Sequence, residues 1–345
     1  MGWKGTLRSV GAAYRAAKRD SQRRQRELER DARRRQRELD IRKRENERMA
    51  VLSRAAFEVE IYESRVQALL SVHKGGRPQV DWPSMALVEE PTKPARPNTA
   101  EEAARKAEAE YHAGILDRLL KKESVKRARL AREVERARQV DDASYRRMLE
   151  TWRRKHQEWQ YNRDLARRVL ALESSALVEA IAKIDPFSDI KKLGTDIQFA
   201  INATVLEATI SVHSESVVPN EMKSLLQSGR LSVKKMPIGK FNEIFQDYVC
   251  GCVLRVANEL FSVLPIDTVI VTATDMLLNS ATGHLDDTPI VSAVIPRRTL
   301  SQLDLEHIDP SDSMTNFIHR MEFKKLKGFQ GVDRLTPESI STPQS

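Results

Sequence analysis

The chain has 345 residues, of which 31% are charged and 40% are hydrophobic, and its formal net charge is +9. Residues 1–184 carry 43 basic and 29 acidic side chains, whereas residues 185–345 carry 15 and 20, so the positive charge belongs to the first half alone. No apolar run approaches the ~20 residues that span a bilayer, and no signal peptide opens the chain. We therefore expect a soluble, cytoplasmic protein.

Residues 3–18 have the pattern of a short basic amphipathic helix, with Trp3, Leu7 and Val10 on one face and Lys4 and Arg8 beside it. Two interpretations stay open. The segment either lies on an anionic membrane surface or begins a long helix that packs on a partner chain.

An eleven-residue repeat follows, because residues 23–33 read RRQRELERDAR and residues 34–44 read RRQRELDIRKR. Eleven residues in three turns predict a straight or slightly right-handed helix. We interpret the charge run as a solvated helical surface, with a phosphate-binding surface as the alternative.

Apolar residues then recur at alternating intervals of three and four along one stripe. Its members are Leu52, Ala55, Val59, Tyr62, Val66 and Leu69. This spacing predicts a coiled coil, in which the stripe stays on one side only if the helix supercoils about another. We expect a homo-oligomer to form through it, so residues 1–74 are assigned as a basic helix with a coiled-coil seam.

Gly75 and Gly76 end this helix, and the five prolines between residues 75 and 98 predict a loop. A long coiled-coil helix is predicted over residues 99–184. Its stripe contains a seven-residue series, Tyr145, Trp152 and Trp159. The two stripes pair either within one chain, as an antiparallel hairpin, or between chains.

Residues 185–335 predict a two-layer α+β domain with a mixed sheet covered by a long helix. The predicted order is one bent strand over 197–212, a short helix from Pro219 to about Gly229, a core helix after Pro237, strands over 266–274 and 289–295, and a helix from Pro310 to about Met321. Cys250 and Cys252 are interpreted as small core residues, and residues 336–345 as a disordered tail.

The sequence contains no phosphate-binding loop, no dinucleotide fingerprint and no zinc-site spacing, so no cofactor or metal is expected. One arrangement resembles the acid and ExK elements that hold magnesium in nucleases, namely Asp309 with Glu322 and Lys324. Such sites need the acid and the ExK on neighbouring strands. Here Asp309 is predicted to cap a helix and Glu322 to follow one, which argues against the site.

The favoured hypothesis is therefore a non-enzymatic interaction or scaffold protein. It would oligomerise through a coiled-coil rod and present an α+β head to an unidentified protein partner. The alternative is a nucleic-acid-binding protein or nuclease-like effector that uses the basic rod and the ExK-like triplet.

Overall fold

The computed structural model describes residues 3–114, 122–191, 195–202, 205–213, 217–279 and 281–340. Its helices are α1 (Trp3–Leu70), α2 (Trp82–Leu87), α3 (Thr99–Ala109), α4 (Glu123–Leu170), α5 (Ser174–Ile184), α6 (Ser188–Lys191), α7 (Ile238–Val263), α8 (Arg297–Leu300) and α9 (Pro310–Ser313). Its strands are β1 (Thr195–Asn202), β2 (Val205–Val212), β3 (Glu221–Leu225), β4 (Leu231–Lys235), β5 (Thr268–Leu278), β6 (Leu285–Pro296), β7 (Ile318–Lys324) and β8 (Gly328–Gln330).

Contacts divide the chain into two compact units, each assembled from separated segments. Unit 1 contains Met1–Val72, His213–Tyr248 and Phe323–Phe329, and unit 2 contains His73–Val212, Val249–Glu322 and Gln330–Ser345. The domain limits expected from the sequence stay predictions.

Unit 1 is built on α1, whose sequence has no glycine or proline between residues 12 and 74 and is rich in Arg, Glu, Gln and Ala. These are strong helix formers, so the backbone needs few outside contacts to stay helical. The side chains of the predicted amphipathic segment, residues 3–18, lie outside the described side chains, although the backbone there is helical.

An antiparallel hairpin, β3–β4, packs against α1 in the same unit. Its strands are in register from Glu221↔Lys235 to Leu225↔Leu231. The short helix predicted here from Pro219 is therefore wrong. Gly229 adopts a left-handed φ of 75°, which closes the turn, and the Leu226 N–H donates to the Arg230 carbonyl at 2.9 Å.

The mixed sheet predicted from the sequence is confirmed, with six strands in the order β1-β2-β5-β6-β7-β8 and β2 parallel to β5. The single bent strand over 197–212 is wrong, because Asn202 pairs with Val205 and the range forms the antiparallel strands β1 and β2. The bend predicted within this range is therefore replaced by an antiparallel pairing of two strands.

One face of the sheet in unit 2 is apolar and meets α7, where the Cys250 thiol lies 3.8 Å from the Met321 sulfur. Cys250 and Cys252 are both buried, as the sequence predicted. The other face carries a polar row in continuous register, formed by Gln198, Thr209, Thr272, Ser292 and Arg320.

The C-terminal segment crosses this polar face of the sheet. The Leu335 N–H donates to the Ser292 hydroxyl at 2.9 Å, and Arg334 donates to the Thr209 hydroxyl at 3.2 Å. Residues 336–345 were predicted to be disordered, yet Pro337–Ile340 form a 3-10 turn, and residues 341–345 lie outside the described residues.

The range 99–184 is not the single helix that the sequence predicted. Helix α4 ends where Leu172 takes a left-handed φ of 56°, and α5 then begins at Ser174. Arg168 holds this corner by bonding the carboxylates of Glu173 and Glu179, each at 3.1 Å. Leu172 is neither Gly nor Asn, so it gave no helix-ending signal.

Helix α3 begins at Thr99 without a cap from its own N-cap side chain, and a residue of another helix caps it instead. Asp141 of α4 is 3% exposed and accepts from the Glu101 N–H at 2.8 Å. Beside it, Arg96 bonds Asp142 at 2.8 Å and also bonds Glu101. The Arg96 hydrogen bond lowers the pKa of Asp142, and hydrogen bonds from Arg105 and Arg96 lower the pKa of Glu101.

The chain after α1 is fastened along α7 in unit 2. Arg255 donates to the Lys74 carbonyl, the Val80 N–H donates to the Ser262 carbonyl at 2.8 Å, and the Trp82 indole donates to the Val263 carbonyl. Glu259 is the centre of this attachment. Its carboxylate, with 2% of the side chain exposed, lies 2.9 Å from both Arg77 and Arg255.

Replacing Glu259 should destabilise the protein strongly. Glu259→Gln leaves two partly buried guanidinium groups around a neutral acceptor, and breaking a buried pair in this way costs about 3 kcal/mol. Urea unfolding measures the change, with Asp287→Asn on the exposed part of β6 as the control, expected within about 0.5 kcal/mol of the parent. A loss below about 1 kcal/mol for Glu259→Gln would contradict the central role of this carboxylate.

Because of His73, we expect the stability of the protein to depend on pH. Its ring is 1% exposed, and neither nitrogen has a hydrogen-bond partner among the described residues. Burial, and secondly the charge of Lys74, lower its pKa, although Glu306 and Asp309 act in the opposite direction. The unfolded chain then binds the proton more readily, so the free energy of unfolding should fall as the pH drops below about 6.5.

Urea unfolding at a series of pH values tests this dependence. His73→Phe should reduce the loss of unfolding free energy at low pH, because the buried group that resists protonation is gone. His284→Gln, at an exposed turn, should leave it unchanged. Equal pH dependence in the parent and His73→Phe would rule His73 out as the source.

Candidate functional site

The stripe predicted on α1 is largely covered. Ala55, Val59 and Leu69 are buried, and Leu52, Tyr62 and Val66 are half-buried. Burial, and secondly the charge of Glu63, raise the pKa of Tyr62. Three of the six stripe residues are thus buried and three are half-buried, and their role in a coiled coil stays a prediction.

Part of what covers the stripe is the hairpin of the same unit. A Cβ atom placed on Gly229 would lie 2.8 Å from the Leu52 Cδ2 atom. Lys223 of β3 pairs with Glu58 at 3.2 Å, and Arg65 donates to the Val217 carbonyl at 2.9 Å. Between Leu52 and Arg65, the helix thus makes both apolar and polar contacts with other segments of its own unit.

A second apolar face of α1 points away from this stripe and is exposed. Phe57 is 61% exposed and Ile61 is 53% exposed. Ala50 and Ala68 extend the same line at intervals of seven residues from them, and both are exposed. Sequence reasoning missed this face because the neighbouring positions of the line, Arg54 and Ser64, are charged or polar.

The aromatic stripe of α4 meets the proline-rich segment of its own unit. The Trp152 indole donates to the Pro91 carbonyl at 2.8 Å, and the Trp159 indole donates to the Val88 carbonyl at 2.8 Å. The His156 ring lies between the two indoles, with its centroid 4.9 Å and 5.4 Å from theirs. Tyr145, further along the series, is half-buried.

A groove of ≈ 590 Å³ opens beside this contact, lined by Pro91, Pro94, Met148 and Trp152 among others. The indole N–H groups are already used, and the rest of the lining is mixed, because Thr92, Arg147 and Lys155 border the groove together with the apolar residues. A loop with this proline content gives no periodic signal. The contact of the proline-rich segment with α4 was therefore not predictable from residue spacing.

The nuclease-like residues occupy different kinds of structure. Asp309 caps α9, as predicted, and its carboxylate accepts from the N–H groups of Ser311 and Asp312 at 2.9 Å and 3.0 Å. The helix predicted to run to Met321 is wrong, because α9 ends at Ser313 and Glu322 and Lys324 lie on β7 with exposed side chains. The predicted placement of Glu322 after a helix is therefore corrected.

The strand placement of Glu322 and Lys324 would suit an ExK element, but Asp309 is engaged as a cap. Within the described part of the chain, no group of three or more His, Cys, Asp and Glu side chains is arranged to hold a metal ion. Nor does any helix in the described ranges have the length and apolar character to cross a membrane. Comparison with protein-family models, curated proteins and solved structures finds no match for this chain.

The close approach of Gly229 to Leu52 gives a test of the hairpin packing. Gly229→Ala should destabilise the protein by about 1 kcal/mol for the left-handed φ, plus a further cost for displacing the Leu52 methyl. Gly283→Ala is the matched control, since Gly283 has a φ of 74° and open space where the Cβ would lie.

Unfolding in urea measures both variants, alone and in a Leu52→Ala background. The extra cost of Gly229→Ala over Gly283→Ala should disappear when Leu52 is shortened. If the two glycine variants lose the same stability in both backgrounds, the hairpin does not press on Leu52.

Proposed function

We propose that this protein is a non-enzymatic interaction protein that self-associates through α1. The partner is a second copy of the chain. It binds the exposed face of α1 that contains Ala50, Phe57, Ile61 and Ala68. The pairing is a coiled coil formed by this face, while the stripe from Leu52 to Leu69 stays on the opposite side.

The exposure of Phe57 and Ile61 on one line of a long helix carries this proposal. At 1.5 Å per residue, α1 extends for about 100 Å, so a second α1 could lie along it. The small residues Ala50 and Ala68 allow close approach above and below the two large side chains. Arg54, seven residues before Ile61, lies on the line itself and pairs with Glu58 at 3.7 Å, and Glu60 lies beside the line.

Burying a Phe or Ile side chain contributes roughly 1.5–3 kcal/mol, and a symmetric dimer buries two of each. Association entropy opposes much of that gain. The dimer should therefore dissociate on dilution rather than persist as an obligate assembly.

The part offered to another protein is the tip of the β5–β6 hairpin in unit 2. Leu278 and Leu285 pair directly across it and are 68% and 58% exposed, and Met276 lies on the same face. Large apolar side chains that are exposed together in this way are typical of surfaces that bind another protein.

Light scattering across a concentration series tests self-association of the full-length chain. Phe57→Gln with Ile61→Gln should shift the monomer–dimer midpoint at least 100-fold, because four buried side chains are lost per dimer. The matched control is Ile41→Gln with Met49→Gln. It removes two exposed apolar side chains, 56% and 64% exposed, from other faces of α1 and should leave the midpoint unchanged.

The proposal fails if the parent is monomeric at every concentration, or if both double variants weaken association equally. Val59→Asp with Val66→Asp distinguishes the two faces of α1. It should lower the free energy of unfolding, because the stripe packs within the protein, instead of producing a folded monomer.

A further inference from the structure

The stripe side of α1 continues towards the N-terminus with arginines in place of apolar residues. At about 100° per residue, an arc of about 80° contains Leu52, Ala55, Val59, Tyr62 and Val66. The same arc between residues 30 and 48 contains Arg30, Arg34, Arg37, Ile41, Arg44 and Arg48. It holds five arginines and no acidic residue over about 27 Å of helix axis.

These arginines are exposed, and Arg44 and Arg48 have neither a salt bridge nor a hydrogen bond within the described residues. The acidic residues of this part of α1, such as Asp40 and Glu45, lie at the edges of the arc. Asp40 accepts a hydrogen bond from Gln36 at 3.3 Å. Asp40 and Arg44 are four residues apart, but they form no ion pair within the described part of α1.

The tip of the β3–β4 hairpin adds a further arginine at the end of the arc. A groove of ≈ 540 Å³ lies here, lined by the polar residues Arg44, Glu47, Arg48, Ser228 and Arg230 and by the apolar residues Val51 and Leu52. Arg230 donates to the Ser228 hydroxyl at 3.4 Å and has no salt bridge among the described residues. Three guanidinium groups therefore line one groove with a single carboxylate.

We propose that this arginine row, defined as Arg30, Arg34, Arg37, Arg44, Arg48 and Arg230, binds the phosphate backbone of double-stranded nucleic acid. A guanidinium group can donate two parallel hydrogen bonds to a phosphate, and it is more weakly hydrated than an ammonium group. A linear row suits a ligand whose charges repeat along an axis, whereas a single phosphate would meet only one or two of its members. Binding is independent of base sequence.

The row does not suit the other anionic partners. A helix that lies on a membrane inserts an apolar face next to its basic residues, but the apolar continuation of this arc, from Leu52 to Val66, is buried or half-buried within the protein. A protein interface needs an apolar centre, whereas the arc from Arg30 to Arg48 has Ile41 as its one large apolar residue, and Val51 and Leu52 adjoin only its end. This inference does not depend on self-association through Phe57 and Ile61.

Fluorescence anisotropy with a labelled duplex of about 30 base pairs tests the row at several salt concentrations. With up to six phosphate contacts, the logarithm of the binding constant should fall with the logarithm of salt concentration at a slope of about −5. The variant Arg37→Gln, Arg44→Gln, Arg48→Gln should reduce the slope by about 3 and weaken binding at least tenfold at low salt. Arg→Lys at the same positions should restore most of the slope.

The matched control is Arg35→Gln, Arg42→Gln, Lys43→Gln, which removes the same charge from exposed positions outside the arc. It should change the slope by less than about 1. Equal losses in both triple variants would show general attraction to a basic helix and would overturn the proposal. A second outcome would also overturn it: the protein binds phosphatidylserine vesicles but not the duplex, and Arg37→Gln, Arg44→Gln, Arg48→Gln abolishes the vesicle binding. Double-stranded RNA should bind with a similar slope, because only phosphates are contacted.

Discussion

An isolated helix cannot keep an apolar stripe in water, and unit 1 is arranged around that constraint on α1. The β3–β4 hairpin meets the helix at Leu52, where Gly229 has no side chain to obstruct the approach. Lys223 and Glu58 form an ion pair beside this contact. Because both are partly exposed, the pair orients the hairpin more than it stabilises it. Apolar burial is therefore the main stabilising term, and the glycine allows it.

The elements predicted correctly are those with a long periodic signal. Helix α7 and strands β5 and β6 carry enough buried residues in regular spacing to identify both their type and their place in the core. The failures occur where local spacing is compatible with two structures. Residues 219–229 contain a proline, a glycine and few apolar groups, which suits a short helix or a hairpin. The presence of α1 beside them decides the outcome, and tertiary contacts of that kind have no local signature.

The same limit applies to the candidate surfaces. Periodicity shows which side of a helix is buried, but it does not identify what covers it. The tryptophans of α4 were predicted to lie on a coiled-coil stripe, and Trp152 and Trp159 donate to backbone carbonyls of a proline-rich loop. Asp141, which caps α3 from a distance, is likewise invisible in the sequence around Thr99. An N-cap supplied by another helix satisfies the same donors as a local one, so the helix begins where it was expected for a different reason.

The two halves of the α1 arc follow from two different repeats. A repeat of eleven residues advances about 20° beyond three full turns, so Arg33 and Arg44 stay nearly in line. Three- and four-residue spacing then keeps Leu52 to Val66 on the same side. The change from arginine to leucine falls where the hairpin tip ends, because an arginine covered by the hairpin would need a carboxylate partner to offset its desolvation. Past the tip, like charges instead remain in solvent, where salt screens their repulsion and a polyanion would remove it. The position of the hairpin on α1 therefore coincides with the change from covered apolar residues to exposed arginines.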